Sequence, residues 1–146
     1  MKLAAVLAAM LALGLAGCGG SSLSSRQVRS AAGRICDTAA DKADSLATPK
    51  SPKEAVRFLR GGVSALTPEL KALRTLRPPS DLADHYRLAI DATAAEIREL
   101  RSAIRGLKAG NDPVVETKTL QQKLAPLEAR VDSAWESIDI HRCTSR

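Results

Sequence analysis

The chain has 146 residues, a formal net charge of +6 and only three aromatic side chains, Phe58, Tyr86 and Trp135. That length suffices for one domain with its own core. An apolar set dominated by Ala and Leu argues against a β-sandwich and for closely packed helices. Basic residues are interleaved with Asp and Glu along the chain, so the net charge reads as a solvated surface. No nucleic-acid partner is expected.

At the N-terminus, Lys2 precedes an uncharged apolar run from Leu3 to Leu15. As a helix, about 13 residues span roughly 20 Å, short of the ~30 Å hydrocarbon core of a bilayer. That length fits the apolar region of a signal peptide better than a permanent span. The run closes on Leu15-Ala16-Gly17-Cys18, followed by Gly19-Gly20-Ser21-Ser22. These residues resemble the lipobox of bacterial lipoproteins and match that pattern at all four positions. The resemblance implies a signal peptide over 1–17, cleavage before Cys18 and a diacylglyceryl group on the Cys18 thiol, with acyl chains such as palmitate. The mature chain would then have 129 residues and a net charge of +5. It would sit on the extracytoplasmic side of the cell membrane, since two acyl chains anchor stably where one binds only marginally. A tether over 18–24, with a reach of roughly 12–15 Å, would hold a helical domain at 25–146 close to the bilayer.

With Cys18 lipidated, Cys36 and Cys143 remain. An even pair in an exported chain reads as a disulfide, and a loop of this length contributes about 2–4 kcal/mol when closed. Two unrelated thiols are the alternative. A metal site of Cys36, Cys143 and His141 lacks both ligand spacing and a fourth ligand, so no metal is expected.

Four helices follow. The first starts at a capping box, Ser24 with Gln27, and carries Val28, Ala32, Ile35 and Ala39 on its apolar face until Pro49 and Pro52 break it. The second opens with Ser51, Pro52 and Glu54 as cap, first residue and capping-box partner. Val56, Leu59, Val63, Leu66, Leu70 and Leu73 keep helical spacing straight through Pro68, which favours one kinked helix over two. Gly61-Gly62 lies inside it, either admitting a close neighbour or adding flexibility. The third helix starts at Ser80 or Asp81 and runs through Tyr86, Ile90, Thr93, Ile97, Leu100, Ile104 and Leu107 to a stop at Gly110-Asn111. The fourth begins at Asp112-Pro113 and carries Leu120, Leu124, Leu127, Val131, Ala134 and Ile138, with Pro126 inside. Trp135 adjoins this row and reads as a boundary residue.

Short connectors make these helices antiparallel neighbours in an all-α, up-down four-helix bundle. One tension follows. Cys143 belongs at the end where the first helix begins, whereas Cys36 lies ~18 Å along it; disulfide geometry needs Cα atoms within about 7 Å. Either the first helix is displaced or the tail after Ile140 folds back over it.

Catalytic signals are absent from the sequence. Asp81 and His85 can pair at i, i+4, but they read as a dipole-complementing acid and a boundary histidine. There is no Glu-x-x-His, no Gly-x-Ser-x-Gly, no phosphate-cradling Gly loop and no pair of carboxylates at core positions. No catalytic residue and no cofactor is therefore expected. The stretch Leu70-Lys71-Ala72-Leu73-Arg74-Thr75-Leu76-Arg77-Pro78-Pro79, with an early and a late Cys, also resembles small helical lipoproteins of high-G+C bacteria. That likeness supports the fold and carries no activity. The expected function is a lipid-anchored, non-catalytic domain binding a protein or envelope component. The alternative is a small-ligand carrier or sensor, which an internal cavity would favour and a solid core would exclude.

Overall fold

Local chemistry sets where each helix starts and stops. Ser24 Oγ accepts the Gln27 N–H at 3.3 Å while Gln27 Oε1 accepts the Ser24 N–H at 2.9 Å, a complete capping box. At the second helix, Ser51 Oγ accepts from the Glu54 N–H, but the Glu54 carboxylate takes the Lys50 N–H at 2.7 Å instead of returning to Ser51. Asp112 Oδ1 receives both the Val114 and Val115 N–H groups. The third helix has Pro79 at its cap without a side-chain bond. Its Asp81 accepts from Ser25 Oγ at 2.8 Å and so ties the start of the third helix to the start of the first.

The computed structural model describes residues 23–144; the expected signal peptide, 1–17, and Cys18 lie outside the described residues. Among those described there are four α-helices, one 3-10 turn and no strand: α1 Ser25–Asp44, α2 Pro52–Leu73, α3 Ser80–Lys108, α4 Pro113–Glu136 and the turn His141–Cys143. α2 continues through Pro68 and α4 through Pro126. Between α3 and α4, Gly110 takes φ +90°, and the Asn111 N–H bonds back to the Gly106 carbonyl at 3.1 Å. This glycine-based stop leaves little free connector before Asp112 caps the next helix.

The result is an up-down four-helix bundle with α3 packed along both α2 and α4. α1 rests on α2 and on the C-terminal turn and makes little direct contact with α4. Because α3 has a neighbour on each side, its buried face is wider than one apolar row. It includes Ala89 with Ile90, Ala92 with Thr93, and Glu96 with Ile97. Two expectations are corrected here. Glu69 and Glu96 are 3% and 7% exposed, so two carboxyl groups do occupy the interior. Trp135, expected at the boundary, is wholly buried and meets the Tyr86 ring edge-on at 5.2 Å. The buried face of α4 is wider than the row through Val131, Ala134 and Ile138, because the returning tail covers the side of α4 that a bare bundle would leave wet.

That tail resolves the register problem. After α4, Asp139 adopts φ 56°, a left-handed turn that Asp tolerates. Ile138, Ile140 and Cys143 then fold back into the core against α1. Cys36 and Cys143 form the expected disulfide with a Cα–Cα distance of 5.1 Å. Gly33 makes room for this return, since a Cβ there would lie 3.1 Å from Arg142 Cδ.

Candidate functional site

The chain enters the domain at a defined point. Leu23 packs against the core, and its N–H donates to the Arg77 carbonyl at 3.2 Å. Leu23 and Ser24, expected to be tether, thus belong to the folded body. Arg77 lies in the α2–α3 connector, so Leu23 is held at the foot of the α2–α3 hairpin. The returning tail is fastened at the same end: Arg29 Nε donates to the Ile138 carbonyl at 2.8 Å and pairs with Asp139, while Arg142 pairs with Asp37.

The residues singled out as possible chemistry are dispersed. His85 and His141 are exposed, and Asp81 is engaged by Ser25 rather than by His85. Among the described residues, no group of His, Cys, Asp and Glu is arranged to hold a metal. Burial pushes the Tyr86 phenol well above its usual range, and its hydroxyl donates to the Leu73 carbonyl at 2.9 Å. This is a structural phenol, locked into the core.

Two surfaces have the shape of sites. The first is a cleft of about 300 Å³ on the open side between α1 and α4. Its walls come from all four helices: Ala39, Ala40 and Ala43 of α1, Gly62, Ala65 and Leu66 of α2, Leu100 of α3, and Leu124 and Val131 of α4. Glu96, Glu128 and Asp132 bring carboxyl groups to its lining. The small residues matter, because Ala on α1 and Gly62 on α2 leave the volume that longer side chains would fill. A Cβ at Gly62 would meet Leu100 only at 3.9 Å. Gly61 serves a different purpose: a Cβ there would come within 2.5 Å of Leu46 Cδ2, so it admits the α1–α2 connector. The volume lies at the lower end for small-molecule sites.

The second surface is the outer groove between α2 and α3. On one face of α2 and its C-cap, Lys53, Arg57 and Arg60 form one cluster and Lys71 and Arg74 a second, each at three-four spacing, with the uncharged Ser64 and Thr67 at the face positions between them. Arg98, Arg101, Arg105 and Lys108 run at the same spacing along α3. The two rows face one another. Lys53, Arg57, Arg60 and Lys108 line one cleft, and Lys71, Arg74, Arg98 and Arg101 line the next. Arg101 reaches across to Thr67 Oγ1 at 3.4 Å. Among the described residues no acidic side chain lines either cleft, and none of these cations makes an ion pair. Like charges one turn apart on a helix each cost about 0.2–0.5 kcal/mol. The groove is therefore a self-repelling array that an anionic occupant would relieve.

Sequence reading placed these cations on an interleaved, solvated surface. Taken in chain order they are interleaved with acids. Folding sorts them, because each row lies on one face of its own helix and the hairpin turns the rows together. The signal in the sequence is the three-four spacing of Arg98, Arg101, Arg105 and Lys108 on α3 and, within each of two clusters, of the cations on α2. No family model, curated protein or solved structure matches the chain, so its functional reading rests on its own residues.

Proposed function

We propose that this chain is a lipid-anchored, non-catalytic helical domain on the outer face of the cytoplasmic membrane, where it binds a protein or cell-envelope component. The observation that carries the reading is the lipobox-like Leu15-Ala16-Gly17-Cys18, which ends five residues ahead of Leu23, whose N–H bonds to the Arg77 carbonyl. The Cys36–Cys143 disulfide supports it, since such bonds persist in oxidising compartments outside the cytosol. In cells fed an alkyne fatty acid, the wild-type chain becomes labelled and Cys18→Ser does not. Labelling that persists in Cys18→Ser overturns the anchor. Crosslinking of the anchored protein in cells then identifies its neighbours.

The interior cleft favours a second reading, a carrier of a small, largely apolar molecule fitted to the lining of Ala39, Ala43, Ala65, Leu66 and Leu100. Native mass spectrometry of protein from its own cells tests it. A small adduct beyond the lipid that disappears in a helical Gly62→Leu variant supports the carrier, and a mass equal to the lipidated polypeptide alone removes it.

A further inference from the structure

We infer that the basic α2–α3 groove is the face on which the bundle lies against anionic lipid headgroups, so that the domain rests on its side along the membrane. The inference builds on the anchored location proposed above and adds a specific contact surface to it.

Two independent features point to a bilayer as the occupant. The first is charge: two facing rows of Lys and Arg, unpaired and without an acid lining the clefts between them among the described residues. The two α2 clusters, Lys53 to Arg60 and Lys71 to Arg74, together span roughly 32 Å along the helix axis. An array of that length matches a surface of many separate anionic groups better than a single small anion. Basic segments held near an anionic leaflet are attracted within about a Debye length of it.

The second feature is where the chain outside the described residues attaches. Leu23 is bonded to Arg77 at the foot of the same hairpin, and Arg74 lies three residues before that point. A lipid on Cys18, only five residues upstream, therefore holds the membrane next to one end of the groove. The lipid and the groove then engage the bilayer from the same side of the domain. The opposite arrangement, with the groove turned outward, would leave the self-repelling rows uncompensated. Lying on this face also keeps the α1–α4 cleft directed away from the lipid.

The lipidated protein in vesicles provides the test, using its own lysines as reporters. Amine acylation, read residue by residue by mass spectrometry, compares Lys53, Lys71 and Lys108 in the groove with Lys118, exposed on the outer side of α4. In phosphatidylglycerol vesicles the groove lysines react roughly fivefold more slowly than Lys118, the ratio that headgroup contact at each residue implies. The difference vanishes in phosphatidylcholine vesicles, at high salt, and in an Arg57→Glu/Arg98→Glu variant of unchanged helicity. Equal reactivity of groove and control lysines in phosphatidylglycerol vesicles overturns the proposal. So does protection by dissolved polyphosphate without protection by vesicles, which would assign the groove to a soluble polyanion. Intact mass reads the lipid on Cys18 separately. A chain lacking lipid refutes the anchor, whereas a lipidated chain with unprotected groove lysines refutes the groove.

Discussion

At the end of the bundle where Leu23 enters, all four helices and the returning tail share one large core around Trp135, Tyr86, Leu73 and the Cys36–Cys143 bridge. At the far end, α1 has already stopped at Asp44, and only Leu100, Ala103 and Leu120 are fully packed, flanked by half-buried Leu59, Leu66 and Leu124. A second apolar cleft of about 250 Å³ opens there beneath Phe58, and Val114 and Val115 stand 77% and 63% exposed. A 29-residue α3 extends roughly 43 Å, while the 20-residue α1 covers only about 30 Å of it. The contrast shows how a bundle with few aromatics divides its resources. Its large side chains and covalent link secure the end where Leu23 packs, and small residues elsewhere leave open clefts.

Truncation distinguishes the two ends most strongly. Trp135→Ala should cost about 3–5 kcal/mol, since it empties a fully buried ring site that contacts Tyr86. Leu120→Ala, in the thin distal core, should cost only about 2 kcal/mol, the low end for such changes. Urea unfolding of both variants checks this, and equal losses would erase the distinction. Reduction of Cys36–Cys143 should remove about 2–4 kcal/mol. Hydrogen exchange should then accelerate first in the tail and the adjoining turns of α1, leaving the α3–α4 pair less affected.

Tyr86 sharpens the comparison through pH. Burial raises the folded-state phenol above its unfolded value, so the folded chain favours the neutral form. Its stabilising contribution is fully present below the unfolded pKa of about 10 and is lost as pH rises above it, at about 1.4 kcal/mol per pH unit. At neutral pH, Tyr86→Phe should cost about 0.5–1.5 kcal/mol for the lost bond to Leu73. Above pH ~10 the variant should lose stability less steeply than the wild type. Parallel alkaline slopes would contradict a buried phenol. The smallest effect belongs to Gly62→Ala, which meets only an ordinary contact at 3.9 Å and should stabilise α2 by about 0.5–1 kcal/mol while narrowing the interior cleft. Destabilisation by this substitution would mean the cleft wall is closer than the structure places it.

The elements readable from sequence were those governed by near neighbours. Ser24 with Gln27, Asp112 with Pro113, and Gly110 after Lys108 marked helix ends because capping acts within one turn. Pro68 did not interrupt α2, as the unbroken apolar row through Leu70 and Leu73 indicated. Features set by distant segments were hidden. Trp135 looked peripheral because nothing local reveals that the tail returns to cover it. Glu69 and Glu96 sit one residue from Leu70 and Ile97, and only the width of the buried face draws them inside. The basic rows of α2 and α3 are separated in sequence, and their confrontation depends on the hairpin between them. The cleft depends on α1 standing away from α4, which short connectors alone did not suggest.

Intact-mass analysis of the protein purified from its own membranes tests the central claim most directly. The account predicts a chain beginning at Cys18, heavier than the bare polypeptide by a diacylglyceryl modification and lighter by two hydrogens for Cys36–Cys143. A polypeptide that retains residues 1–17, or one that begins at Cys18 without lipid, would contradict it.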